Sequence, residues 1–142
     1  MKVLSLTQPW STLVVLGAKQ FETRSWSTQY RGALLIHASK NFPKDCRELT
    51  FEAPFNAALQ FKDWSTLPLG AIIGRVELVD CLPTEKITRL PYDEVGLHEI
   101  EFGNFAPGRF AWKLENPTLF VKPIPAKGSL GLWEYNWPVS GA

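Results

Sequence analysis

Lys19, Glu22 and Arg24 set one carboxylate between two cations in a short stretch that is flanked by Trp10 and Trp26. Such a group can act as a polar grip, in which Glu22 accepts hydrogen bonds, Lys19 and Arg24 donate them, and an indole supports a planar ring. The same residues can equally form an ion-pair ladder on a solvated strand face, which adds little to stability. The residue types alone leave both readings open, and the deciding question is whether the surrounding elements bring them onto one concave surface.

The local sequence predicts a definite arrangement. Pro9 suits the first position of a helix, because its ring presets φ and its missing N–H would have had no partner inside the helix. A helix is expected from Pro9 to Leu16, with Leu13, Leu16 and Val14 as its apolar stripe and Gly17 as its stop. From Phe21 the pattern changes to alternation, which puts Glu22, Arg24 and Trp26 on one face of a strand and Phe21, Thr23 and Ser25 on the other. Lys19 falls in the turn that leads in.

The rest of the chain predicts a sheet. Lys2 to Leu6 reads as a first strand, and Ala33 to Ala38 as a continuous apolar strand buried on both faces, with His37 either bonded within the core or facing a cleft. Asn41 to Phe61 suggests two short helices separated by Pro54, with Lys40, Lys44 and Arg47 as a small basic cluster on a solvated face. Leu69 to Leu82 is the clearest long strand, with Ile72, Gly74, Val76, Leu78 and Asp80 on one face and Ile73, Arg75, Glu77 and Val79 on the other. Gly74 would permit a bend. Thr84 to Phe102 reads as a loop with a short helix and carries an acidic stretch of Asp93, Glu94, His98, Glu99 and Glu101. Strands are expected at Arg109 to Leu114, Leu119 to Ile124 and near Leu130 to Glu134, separated by loops rich in Gly and Pro. Five or six strands with helices inserted between them predict a mainly β, α+β fold: a small barrel decorated with helices.

Composition sets bounds on function. A chain of 142 residues with 45% hydrophobic and 20% charged content is expected to be one domain with its own core, not a disordered segment. The net charge of +1 excludes the strongly basic footprint of a general nucleic-acid binder, so any anion site must be local. Neither a secretory leader nor a membrane-spanning run is legible, which points to the cytoplasm. Cys46 and Cys81 would stay reduced there, and their spacing with His37 and His98 matches no zinc pattern, so no metal and no cofactor are expected. The sequence sets no oligomeric state.

The run from Leu4 to Lys40 resembles the start of an ASCH domain, a member of the PUA-like superfamily. The signature G-x-K-x-x-E-x-R of that family is present as Gly17, Lys19, Glu22 and Arg24. The flanking Gln8-Pro9-Trp10, Tyr30-Arg31-Gly32 and His37-Ala38-Ser39-Lys40 agree with it, as do the later stretches GAIIGRVELVDC and PAKGSLGLWEY. The resemblance implies a small PUA-like β-barrel over residues 1–137, followed by a C-terminal tail at 138–142.

The resemblance also implies a function. PUA-like domains commonly recognise RNA, and the expected site is a cleft between the barrel and the first helix. There Gln8 and Glu22 would read a base edge, Trp10, Trp26 and Phe105 would stack, and Lys19, Arg24 and Arg31 would meet phosphate or ribose. The expected ligand is single-stranded RNA or a modified nucleoside. Some small ASCH proteins are amidohydrolases acting on N4-acetylcytidine, and others have been assigned ribonuclease activity. The amidohydrolases use a lysine, a threonine three residues later and a distant glutamate. This chain keeps Lys19 but has Glu22 where that threonine would stand, so an enzyme here would use Glu22 as base with Lys19 or Arg24 at the oxyanion. A domain that binds a protein partner is the third reading.

Overall fold

The computed structural model describes residues 1–96 and 98–137. The expected tail at 138–142 lies outside the described residues. In chain order the elements are β1 (Lys2–Leu6), α1 (Trp10–Val15), β2 (Phe21–Arg24), β3 (Gly32–Ala38), α2 (Lys44–Leu49), α3 (Phe55–Ala58), a 3₁₀ turn (Trp64–Thr66), β4 (Ala71–Pro83), α4 (Thr84–Thr88), α5 (Tyr92–Val95), α6 (Glu99–Phe102), β5 (Phe110–Pro125) and β6 (Leu132–Glu134). The strands form one six-stranded sheet in the order β2-β5-β4-β3-β1-β6. Only β1 and β3 run parallel, and the other neighbours are antiparallel. The sheet curls into a half-barrel with the helices packed on and around it, in agreement with the mainly β, α+β reading. No helix among the described residues is long and apolar enough to cross a membrane.

The apolar pattern explains the layers. Leu4 and Leu6 of β1, Leu34 and Ile36 of β3, Ile73, Val76 and Leu78 of β4 and Trp112 of β5 fill the concave side, together with Val14 and Val15 of α1. Val3, Leu35 and Ile72 face outward and are covered by Phe120, Trp133, Tyr135 and Trp137. Trp137 stacks on Phe120 with ring centroids 5.5 Å apart. This second layer explains why β3 is apolar on both faces, as its unbroken hydrophobic run predicts. His37 is held in the core: Nδ1 lies 2.9 Å from Ser5 Oγ, Nε2 lies 2.7 Å from Ala126 O, and Trp133 Nε1 donates to the same Ser5 Oγ at 3.1 Å.

The two ends of the described chain meet in this layer. The Met1 amine donates to Tyr135 O at 2.8 Å and pairs with Glu134 at 3.3 Å, and Lys2 Nζ lies 2.8 Å from the same carboxylate group.

Three expectations are corrected. The face assignment along β4 fails at its start, because a register shift between Ile72 and Gly74 turns Ile73 inward beside Val76 while Ile72 points out. The two strands expected at 109–114 and 119–124 are one, β5, which carries Asn116 at φ 51°. The stretch 84–102 holds three short helices in place of one.

Gly74 fixes how α1 sits on the sheet. A Cβ at that position would lie 2.3 Å from Thr118 O and 2.5 Å from Val15 Cγ1, so only glycine lets α1 and β5 approach β4 this closely.

Candidate functional site

A cleft of about 660 Å³ opens beside α1. Trp10 comes from α1, Glu22 and Arg24 from β2, Trp26 from the bend after β2, Phe55 from α3 and Arg109 from the residue just before β5. Each aromatic is buttressed: Trp26 packs edge-on to buried Trp112 at 4.8 Å, and Trp10 edge-on to Phe55 at 6.4 Å. The rings are therefore fixed before any ligand arrives.

The motif residues converge. Arg24 Nε stands 2.9 Å from Glu22 Oε2, close enough for an ion pair but too oblique for an aligned hydrogen bond, and Arg24 Nη2 donates to Ser5 O at 3.1 Å. Lys19 Nζ stands 3.9 Å from Glu22 Oε1 on the other side. Glu22 is thus a carboxylate between two cations, with its side chain 10% exposed at the cleft wall. Lys19 differs from the expectation of direct contact, since its side chain is 1% exposed and Nζ donates to Phe21 O. Burial pushes its proton affinity below that of an ordinary lysine, with Glu22 and then Glu99 opposing the shift.

The other expected site residues divide. Gln8 is fully buried, and both ends of its amide are engaged: Oε1 accepts from Thr12 N at 3.3 Å and Nε2 donates to Pro68 O at 3.0 Å. Arg31 bonds Thr28 O and Tyr30 O and stands 3.7 Å from Asp80, away from the residues that line the cleft. Phe105 is buried among Phe21, Ile87 and Val95. Thr23, expected on the opposite face, also borders the cleft. Its Oγ1 accepts from Asn104 N at 3.1 Å, and both Oγ1 and Lys19 Nζ lie within 3.4 Å of one point above Gly103.

Two residues went unrecognised in the sequence. Glu99, one carboxylate in an unpatterned acidic stretch, is 2% exposed and accepts from Phe21 N at 2.8 Å and Gln20 N at 2.9 Å. Burial raises its proton affinity above that of an ordinary glutamate, while the Gln20 N–H and then Lys19 oppose that shift. Arg109 is the second. Its Nε donates to Asn104 O at 3.0 Å and Nη2 to Thr23 O at 3.3 Å, which anchors it at the cleft. The one available signal for Arg109 was its place just after a glycine-rich loop at the start of a strand. Among the described residues no cluster of His, Cys, Asp or Glu could hold a metal ion.

The ASCH domain family model matches residues 4–123. The chain belongs to the ASCH domain family. Human activating signal cointegrator 1 is 31% identical over 135 residues, covering 92% of this chain and 22% of that protein. The mouse protein of the same name is 31% identical over 134 residues with the same coverage. The chain therefore spans only 22% of the length of these relatives. Among solved structures, the ASCH protein of Zymomonas mobilis superposes with a TM-score of 0.51 at 16% identity, covering 87% of this chain and 72% of that one. A tyrosine-to-phenylalanine variant of the Zymomonas protein gives 0.50 at 16% identity, covering 87% and 74%. At that identity the likeness concerns the fold.

Within this ASCH domain each signature residue has a physical task. Gly17 takes φ 81° to end α1, and a Cβ there would lie 3.0 Å from Pro117. Lys19 occupies the carbonyl of Phe21, and Glu22 and Arg24 present a paired carboxylate and guanidinium to the cleft.

Proposed function

We propose that the cleft receives a single unstacked nucleobase, carried by single-stranded RNA or by a modified nucleoside. The observation that supports this reading is the Glu22–Arg24 pair, held at 2.9 Å on the wall of a cleft that Trp10 and Trp26 also line. The volume of about 660 Å³ falls in the range of small-ligand sites. Anchored indoles supply stacking surface at low entropic cost, and Glu22 accepts from an exocyclic amine of the kind cytosine presents. Arg24 orients that carboxylate. A free edge of an unpaired base matches this arrangement, whereas a duplex hides both the faces and most of the edge.

Titration of cytidine, N4-acetylcytidine and short single-stranded RNA against tryptophan fluorescence tests the reading, since two of the indoles would meet the ligand. Saturable quenching is expected, and Glu22→Gln should weaken it by about 1–3 kcal/mol through the lost charged acceptor. Absence of quenching by every ligand would return the cleft to a protein-partner surface.

A hydrolytic reading of the same cleft draws on Lys19, whose lowered proton affinity and position 3.9 Å from Glu22 suit a site where Glu22 takes a proton from water. The same samples, separated by chromatography, would contain cytidine and acetate after incubation with N4-acetylcytidine. Binding without turnover leaves the domain a reader.

A further inference from the structure

We infer that Arg109 is the phosphate contact of this cleft, so that the preferred ligand is a nucleotide, free or within a strand, over a bare nucleoside. The inference rests on the nucleobase reading above and adds a residue that lies outside the family signature.

The charges of the cleft single it out. Four charged side chains line it: Glu22, Arg24, Glu101 and Arg109. Arg24 is compensated by Glu22 at 2.9 Å, and Glu101 lies 3.1 Å from His98 Nδ1. Among the described residues no carboxylate comes within 4.0 Å of the Arg109 guanidinium, so it is the uncompensated cation of the site. It is also held in place. The carbonyls of Asn104 and Thr23, both on cleft-lining residues, fix Nε and Nη2 and leave Nη1 as the unengaged arm of the fork. A guanidinium fixed in advance loses little entropy on meeting a phosphate oxygen, and such charge-assisted bonds are among the stronger ones proteins make.

The register places it suitably. Arg24 pairs with Phe110 across β2 and β5, and Arg109 directly precedes Phe110, so the Glu22–Arg24 pair and the free guanidinium reach the one cleft from adjacent strand ends.

The test is a set of fluorescence titrations of the full chain with cytidine, cytidine 5′-monophosphate and the trinucleotide CpCpC at stepped KCl concentrations, using wild type, Arg109→Gln and Arg109→Lys. The monophosphate should bind about tenfold tighter than cytidine at low salt, and that advantage should shrink as KCl screens the contact while cytidine affinity changes little with salt. Arg109→Gln should bring that ratio near one, whatever the lost ties to Asn104 and Thr23 do to cytidine affinity itself, and Arg109→Lys should restore part of the ratio. A purely structural tie between Asn104 and Thr23 would weaken all ligands alike and leave the ratio unmoved, which overturns the inference. A trinucleotide that binds tighter than the monophosphate identifies the phosphate as one within a strand, and equal binding identifies a free nucleotide. If Arg109→Gln does not fold, the wild-type ratio and its salt dependence decide. Equal wild-type affinity for cytidine and its monophosphate removes the phosphate contact and leaves the base-binding cleft standing, whereas no quenching by any ligand removes both.

Discussion

Lys19 and Glu99 bring opposite charges into positions that are each 2% exposed, and both act on the outer edge of β2. Among the described residues that edge has no neighbouring strand, so the backbone groups of Phe21 must find other partners. Glu99 accepts the Phe21 N–H and Lys19 donates to its carbonyl. Arg109 does the same for the Thr23 carbonyl. The lysine of the signature is therefore a cap on a strand edge first, and it reaches the cleft only through Glu22. Replacing Glu99 with alanine would strand two amide N–H groups and leave Lys19 without one of its counter-charges. Glu99→Ala should lower stability by about 3–5 kcal/mol in urea denaturation, and a loss under 1 kcal/mol would mean the edge finds another acceptor. The grouping of Lys19, Glu22 and Arg24 was legible because period-two alternation and a glycine stop are local. Glu99 was not, since nothing in its neighbourhood distinguishes it from Glu94 or Glu101 and its role arises from a segment far away in sequence.

At the scale of elements, the site depends on how tightly α1 lies on the sheet. Val15 of α1 and Thr118 of β5 both press against Gly74, and α1 in turn carries Trp10 to the cleft. Gly74→Ala would push a methyl group into a backbone oxygen and a β-branched side chain that cannot both move away. A loss of about 3 kcal/mol is expected, with weaker quenching by cytidine as α1 lifts, and denaturation together with titration would check both. A variant as stable as wild type would show that α1 can shift freely. The sequence suggested a bend at Gly74 but not this contact, because the register shift beside it depends on β5. Fusion of two expected strands into β5 escaped notice for a related reason: it is pairing with β4 that carries the strand through Asn116, at φ 51°. The three short helices at 84–102 were equally hidden, being too short for a helical period to repeat.

For the whole molecule, burial of both charges couples stability to pH. Lys19 holds its proton less tightly when folded than the ordinary value of 10.5, so just below 10.5 the unfolded chain binds more protons and stability should rise with pH. Glu99 holds its proton more tightly than the ordinary 4.5, so just above 4.5 the native state binds more protons and stability should fall as pH rises. Urea denaturation across both windows should reveal these slopes as differences from Lys19→Met and Glu99→Gln, and superimposable profiles would remove the linkage. A helix-decorated, mainly β fold was legible from strand-length runs alone, whereas the order of the sheet was not, since β1 pairs both with β3 and with the distant β6. That last pairing sets Met1 beside Tyr135. A peptide bridge from Tyr135 back to Met1 would need to cross little more than a single inter-strand spacing of about 4.8 Å, which suits the domain to circular permutation. By the same geometry, a domain cut at Met1 and Tyr135 would enter and leave at neighbouring points, and an ASCH unit of this shape could be inserted into a longer chain through those two residues while keeping the segments on either side of it close together.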